Sequence, residues 1–156
     1  MEPILRITAR VLPVSPDGAV LLLQDQDPAR PGILRWGSIG GATDPGETLV
    51  EAAIRETYEE TGLVVEAADL TEPFLRSSHD FTWDGGDYRS DSTFFALPLD
   101  RDVEVSFDHL EPAEVGHVFK AAWWTPADLA ADGTAVSDQM PAIMEAAVRT
   151  VLGDAP

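Results

Sequence analysis

The sequence contains no cysteine and few basic residues. Without cysteine, neither a disulfide nor a thiolate metal site can form. Ten lysines and arginines stand against 28 acidic residues, which gives a formal net charge of -18 at pH 7. Because nucleic-acid binding depends on basic side chains that neutralise phosphates, we do not expect a DNA- or RNA-binding protein. A small phosphorylated ligand stays compatible with this surface if metal ions cancel the charge locally.

Long apolar runs are also missing. None approaches the ~20 residues of a membrane-spanning helix. The first residues, MEPILRITARVLPV, do not have the basic start and long apolar stretch of a signal peptide. We therefore expect no membrane association and a cytoplasmic location. The length of 156 residues, of which 44% are hydrophobic, suits one domain that spans residues 1–156.

The most specific feature is the stretch Gly41–Leu63, which reads GATDPGETLVEAAIRETYEETGL. Its residues Glu56, Glu59 and Glu60 stand at i, i+3 and i+4, which places them on one face of a helix. Neighbouring carboxylates repel one another. The group therefore either lies on a solvated face, as charge runs usually do, or holds a cation. Oxygen ligands of this kind suit hard ions such as Mg²⁺ or Mn²⁺.

This stretch resembles the Nudix box, GX5EX7REUXEEXGU, in which U is a bulky aliphatic residue. Every fixed letter of the pattern matches. Leu63 fills one U position, whereas the other holds Thr57. The preceding Trp36–Gly41 also resembles the tryptophan and glycines that lead into the box, with Ile39 where the family often has proline. The resemblance implies an α/β protein, a Nudix α/β/α sandwich around a mixed β-sheet.

The resemblance also implies a metal site. A diphosphate is inert because its charged oxygens repel a nucleophile, so hydrolysis needs cations and a base that activates water. Glu56 and Glu60 correspond to direct ligands of Mg²⁺ or Mn²⁺, and Glu59 corresponds to a further ligand or the general base. The backbone carbonyl of Gly40 would complete the coordination.

Four further residues are candidates for catalysis. By resemblance, Arg55 and Glu47 form the pair that orients the box glutamates electrostatically. The family often adds a glutamate from a later loop as ligand or general base, and here Glu111 and Glu114 in HLEPAEVGH are the candidates. In so acidic a chain these two also fit a solvated loop, and the choice of base between them and Glu59 stays open.

Candidates for substrate binding are weaker. Arg30 and Arg35 flank a loop and could contact phosphate or ribose oxygens, although solvated loop charge is the more common explanation. Trp36 could stack on a nucleobase, but a tryptophan in a core is the more common case. His79 lies where the family varies its substrate loop.

Local patterns predict the order of helices and strands. Thr48 with Glu51 fits a capping box at the start of a helix near residues 48–61, and Gly62 fits its left-handed end. Asp84–Asp87 predicts a hairpin turn. Periodicity and turn residues predict the other elements: strands over Ile4–Val14, Ala19–Leu23, Leu63–Arg76, Tyr88–Leu97 and Val115–Trp124, a short β piece at Val103–Val105, and helices from Thr125 and over Asp138–Leu152.

The leading functional hypothesis is a divalent-metal-dependent pyrophosphohydrolase that acts on a nucleoside diphosphate linked to another moiety. Nucleoside triphosphates, NDP-sugars and ADP-ribose are all open as substrates. The alternative is a non-catalytic Nudix-like module that senses a nucleotide. Isoprenyl diphosphate isomerisation is disfavoured because family members with that chemistry use a cysteine. Many members of the family are dimers, so a homodimer is a further expectation.

Overall fold

The structure is a computed structural model that describes residues 2–112 and 114–153, so Ala113, between the candidates Glu111 and Glu114, lies outside the described residues. In chain order the elements are β1 (Ile4–Val14), β2 (Val20–Asp25), β3 (Arg35–Gly37), β4 (Ile39–Ala42), α1 (Leu49–Thr61), β5 (Leu75–Trp83), β6 (Gly86–Pro98), β7 (Val118–Trp124), α2 (Pro126–Asp132) and α3 (Met140–Leu152).

The seven strands of the described residues form one mixed sheet. The strand β1 pairs in parallel with β6 along its whole length and meets β2 only at its end, where Val14 faces Val20. The segment that contains β3 and β4 fills the gap where β1 and β2 diverge. Its β3 pairs antiparallel with β2 and its β4 pairs antiparallel with β1. This arrangement brings Gly40 beside Arg10 at the centre of the sheet.

Helices cover both faces of the sheet. Side chains of a strand alternate between faces, so Val11 of β1 packs towards α1 while Leu12 packs towards α3. Each face has its own hydrophobic cluster, and together the clusters contain most of the buried apolar side chains. The predicted α/β/α sandwich around a mixed sheet is therefore confirmed.

Some predicted elements differ from the structure. The strand predicted from Leu63 begins only at Leu75, because Leu63–Val65 is irregular chain that packs Val65 onto the α1 cluster while leaving Val64 82% exposed. The piece Val103–Val105 is irregular as well. At the unusual box position, Thr57 is fully buried, and its hydroxyl donates to the Ala53 carbonyl at 2.7 Å.

Within the described residues, every helix is too short or too polar to cross a lipid bilayer.

Candidate active site

Local sequence fixes the position of α1. Thr48 caps the helix: its hydroxyl accepts from the Glu51 backbone N–H at 3.1 Å, and the Glu51 carboxylate accepts from the Thr48 N–H at 3.0 Å. Gly62 ends the helix in the left-handed conformation, with φ of 77°. The predicted capping box and C-terminal glycine are therefore confirmed. They orient α1 so that the face bearing Glu56 and Glu60 lies against β4.

Two glycines of β4 let this face approach the sheet. A Cβ on Gly41 would lie 2.5 Å from a carboxylate oxygen of Glu56, so any side chain there would displace the glutamate. Gly40 has φ of 136°, which favours glycine, and its N–H donates to Glu60 Oε1 at 2.7 Å. Both glutamates are buried, with exposures of 7% for Glu56 and 5% for Glu60.

A third carboxylate completes a compact oxygen cluster. One oxygen each of Glu56, Glu60 and Glu114 lie within 4.8 Å of one another. Burial, followed by the nearby charge of Glu114, raises the pKa of Glu60 well above its ordinary value. Burial also raises the pKa of Glu56 to about 7, although Arg55 opposes the shift. Buried carboxylates in contact are costly unless a cation compensates them.

Arg55 organises the rim of this carboxylate cluster. Its Nε and Nη2 atoms donate to both oxygens of Glu47 at 2.8 and 2.9 Å, and its Nη1 donates to Glu56 at 3.0 Å and to Glu59 at 3.2 Å. The hydrogen bonds from Arg55 lower the pKa of Glu47 to about 2. Nη2 also donates to the Ala42 carbonyl at 3.0 Å, which ties α1 to β4.

Glu59 and Glu111 lie together at this rim. Arg55 Nη1 lies 3.7 Å from Glu111. Burial raises the pKa of Glu59, with Arg55 opposing the shift and Glu111 reinforcing it. Within the described residues, the compact oxygen group contains Glu114 but neither Glu59 nor Glu111. The later loop therefore brings one glutamate to the carboxylate cluster and another to its rim.

The predicted substrate residues lie in different places. Trp36 is only 6% exposed and packs edge-on against Trp124, with ring centroids 5.5 Å apart, so its ring is core rather than a surface for a nucleobase. Arg30 is exposed and donates to Thr82 at 3.1 Å, and the exposed Arg35 donates to a neighbouring backbone carbonyl. His79 lies on β5 across from Ser90.

Sequence reasoning missed Arg10 and Asp25. Arg10 Nη1 donates to the Gly40 carbonyl at 3.0 Å, which leaves that oxygen one further lone pair. Burial raises the pKa of Asp25 to about 6, with Arg10 opposing and Glu114 reinforcing the shift. A signal for Arg10 existed: Arg6, Thr8 and Arg10 alternate with apolar residues on a strand that continues into the core.

The three clustered carboxylates fit a divalent ion. Mg²⁺ and Mn²⁺ are bound in proteins by carboxylate and carbonyl oxygens, and here the side chains of Glu56, Glu60 and Glu114 bring such oxygens together. The ion would also neutralise charges that burial makes unfavourable. Two of the three carboxylates, Glu56 and Glu60, belong to the box on which the resemblance rested, and Glu114 comes from the later loop.

Comparison with known proteins identifies the family. The model of the NUDIX domain matches residues 4–145, which is most of the chain. The chain belongs to the NUDIX family. This NUDIX protein is 38% identical over 95 residues to an uncharacterized Nudix hydrolase, orf19, from Rhodococcus erythropolis, and 45% identical over 56 residues to the asymmetrical bis(5'-nucleosyl)-tetraphosphatase of Mus musculus.

These sequence matches are partial. They cover 59% and 36% of this chain, and the chain spans 46% of the Rhodococcus protein and 35% of the mouse protein. The fold match is broader: the MutT protein from Methanosarcina mazei Go1 has a similar fold, with a TM-score of 0.72 at 20% identity, over 97% of this chain and 99% of that one. The NUDIX protein thus shares its fold with that structure.

Proposed function

We propose that this NUDIX protein is a divalent-metal-dependent pyrophosphohydrolase that cleaves the diphosphate bond of a nucleoside diphosphate linked to another moiety. The observation that carries the proposal is the cluster of Glu56, Glu60 and Glu114, whose oxygens lie within 4.8 Å of one another on a largely buried base. Bound there, Mg²⁺ or Mn²⁺ would neutralise the charge on the diphosphate oxygens.

The cluster would supply the metal ligands, and its rim would supply the base. Glu56, Glu60 and Glu114 would hold the ion, together with the free lone pair of the Gly40 carbonyl. Glu59 would accept the proton of the attacking water. Its half-buried position and its neighbour Glu111 raise its pKa, which makes its carboxylate a stronger base at neutral pH. Glu111 is then a charge at the rim that raises the pKa of Glu59.

Arg55 and Glu47 would act as positioning residues. The two parallel hydrogen bonds between them fix the guanidinium plane, and the third nitrogen, Nη1, reaches both Glu56 and Glu59. A fixed cation at this point holds one ligand, Glu56, and the base, Glu59, in position relative to each other. Partners of this kind raise metal affinity by 10- to 100-fold, to order of magnitude.

The substrate class is broad. The mouse relative is named for bis(5'-nucleosyl) tetraphosphates. Dinucleoside polyphosphates are therefore candidate substrates, in addition to nucleoside triphosphates, NDP-sugars and ADP-ribose. A single domain over residues 1–156, a cytoplasmic location, a homodimer and the lack of nucleic-acid binding stay predictions from the sequence.

A screen of these compounds with Mg²⁺ or Mn²⁺, read out as phosphate after phosphatase coupling, tests the proposal. Glu60→Gln removes a ligand without changing side-chain size, so activity should fall by at least about 100-fold, since a metal supplies several kcal/mol of charge stabilisation. Glu145→Gln, exposed on α3 away from the site, is the matched control and should keep full activity.

Two results would contradict the proposal. Wild-type activity in Glu60→Gln would remove that residue from the metal site. Nucleotide binding without product release under either metal would instead favour the sensing module, the alternative that the same fold allows.

A further inference from the structure

The loop that brings Glu111 and Glu114 to the site wraps around the C-terminal half of α1. We call residues 109–117 the glutamate loop. Three consecutive residues of α1 each face one residue of this loop, in the same order along both segments: Tyr58 and His109, Glu59 and Glu111, and Glu60 and Glu114. Consecutive residues are about 100° apart around a helix, so the glutamate loop follows about 200° of the circumference of α1.

The sheet fixes only one end of the glutamate loop. At the C-terminal end, the Gln26 N–H donates to the His117 carbonyl at 2.9 Å, next to the pairing of β2 with β7. Turns continue from there back along the loop. The Glu114 carbonyl accepts from the His117 N–H at 3.0 Å, and the Glu114 N–H donates to the Glu111 carbonyl at 2.8 Å. These hydrogen bonds give the loop its shape, but none of them ties it to α1.

Hydrophobic packing does not hold the glutamate loop against α1 either. Phe107, just before the loop, and Val118, just after it, pack onto the hydrophobic cluster that contains α1. Of the loop residues that the structure describes, neither Leu110 nor Val115 belongs to a hydrophobic cluster, and Val115 is 61% exposed. Polar and aromatic contacts therefore decide how closely the loop lies against the helix.

The contacts of the two loop glutamates with α1 oppose this position while no cation is bound. Burial raises the pKa of Glu59 and of Glu60, and the nearby charges of Glu111 and Glu114 add to the two shifts. Like charges this close repel each other. Arg55 Nη1 lies 3.7 Å from Glu111, but the same nitrogen already donates to two carboxylates of α1. Before a metal ion binds, another contact has to hold the loop in place.

The contact between Tyr58 and His109 can do so because it brings no two carboxylates together. The two rings stack with centroids 4.5 Å apart and planes 27° apart, and the Tyr58 hydroxyl lies 3.3 Å from His109 Nε2. We call this contact the aromatic clamp. Both side chains are exposed, so removing either ring leaves the hydrophobic core intact.

We propose that Tyr58 and His109 are positioning residues that hold the glutamate loop against α1, so that Glu114 lies beside Glu56 and Glu60 before the metal ion binds. Only this position of the loop offers the ion all three carboxylates. Loss of the aromatic clamp would therefore weaken metal binding by lowering the population of the binding-competent position. The inference rests on the proposed metal-dependent function, and it assigns a role to two residues outside the carboxylate cluster.

The first experiment measures the binding of Mn²⁺ alone, from the electron paramagnetic resonance signal of the free ion. Tyr58→Ala should raise the dissociation constant about 3- to 10-fold, which is the value of one aromatic pair. Tyr58→Phe keeps a stacked ring and should stay within about twofold of the wild type.

Tyr88→Ala is the matched control for Tyr58→Ala. It also removes a tyrosine from a stacked pair, since the Tyr88 ring lies 5.4 Å from that of Phe81. Its register partner on β1 is Ile4, about 20 Å along the strand from Arg10, which contacts Gly40. Tyr88→Ala should therefore bind Mn²⁺ as the wild type does. Wild-type affinity in both Tyr58→Ala and His109→Ala would overturn the proposal.

A double-mutant cycle tests whether the aromatic clamp acts through Glu114. Glu114→Ala removes the ligand that the loop supplies, so the position of the loop should no longer affect metal binding. In that background, Tyr58→Ala should cause no further loss of Mn²⁺ affinity. An equal loss in both backgrounds would show that Tyr58 acts on α1 itself, and it would overturn the proposal. His109→Ala repeats the cycle from the side of the loop.

The second experiment needs neither metal nor turnover. In the metal-free protein, hydrogen–deuterium exchange of a peptide that covers residues 109–117 should be faster in Tyr58→Ala than in the wild type, while exchange in α1 stays the same. Unchanged exchange in the loop, or faster exchange throughout α1, overturns the positioning role. A wild type that binds no Mn²⁺ overturns the proposed function instead, and the exchange rates then decide by themselves whether the aromatic clamp holds the loop.

Discussion

The helices α1 and α3 have the same length, 13 residues each, and cover opposite faces of the same sheet, yet they bury different side chains. The buried residues of α3 are all apolar: Met140, Ile143, Met144 and Ala147. Those of α1 include only two alanines as apolar residues, beside Thr57, Thr61 and the two carboxylates Glu56 and Glu60.

The two helices are also held in different ways. In α1, a complete capping box, a left-handed glycine and the arginine network compensate for its polar interior. In α3, Gln139 at the N-terminus makes no side-chain capping hydrogen bond within the described residues, and packing holds the helix. In this protein α3 serves stability, whereas α1 holds charges in position at a cost in stability.

The largest expected effect is on α3. Met144→Ala would leave a cavity beneath a fully buried side chain and should lower the free energy of unfolding by about 2–5 kcal/mol. Urea denaturation measures this change, and kcat/KM at a temperature where the variant is folded should match the wild type. Glu145 is exposed on the same helix, so the free energy of unfolding of Glu145→Ala should stay within about 0.5 kcal/mol of the wild-type value. A large loss of kcat/KM in folded Met144→Ala would contradict the assignment of α3 to stability alone.

Glu60→Gln should have the opposite effect on stability. Because burial raises the pKa of Glu60, the stability that its protonated form contributes is present below pH 4.5 and is lost as pH rises. At pH 8 and without metal, the variant should therefore have a higher melting temperature than the wild type and a free energy of unfolding about 1–4 kcal/mol larger. Below pH 4.5 the two proteins should be equally stable. Mg²⁺ should then raise the melting temperature of the wild type only. Destabilisation at pH 8 would contradict this account of α1.

Glu56→Gln should raise the stability of the metal-free protein less than Glu60→Gln does. Glu56 has Arg55 as an ion-pair partner at 3.0 Å, and its pKa is raised only to about 7, so removing its charge also removes a favourable contact. In metal-free thermal melts, the difference from the wild type should open between pH 4.5 and about 7. A gain equal to or larger than that of Glu60→Gln would show that Arg55 does not compensate Glu56.

Local elements with strong signals were predicted well. The capping box at Thr48, the left-handed Gly62, the hairpin turn after Trp83 and the bounds of β1 all follow from residues close together in the chain. The strand expected at Leu63–Val65 is wrong because an apolar trio does not specify a strand partner. Val65 contributes to the core as a single inserted side chain instead.

The local sequence was enough to place Glu56, Glu59 and Glu60 on one helix face, since the helical repeat and caps are set within a few residues. The folded chain was needed to show that Glu114 joins the cluster while Glu111 stays at its rim, and that Arg10 reaches Gly40. Those contacts join residues that are distant in the chain, and they depend on strand order and register, which no local pattern encodes.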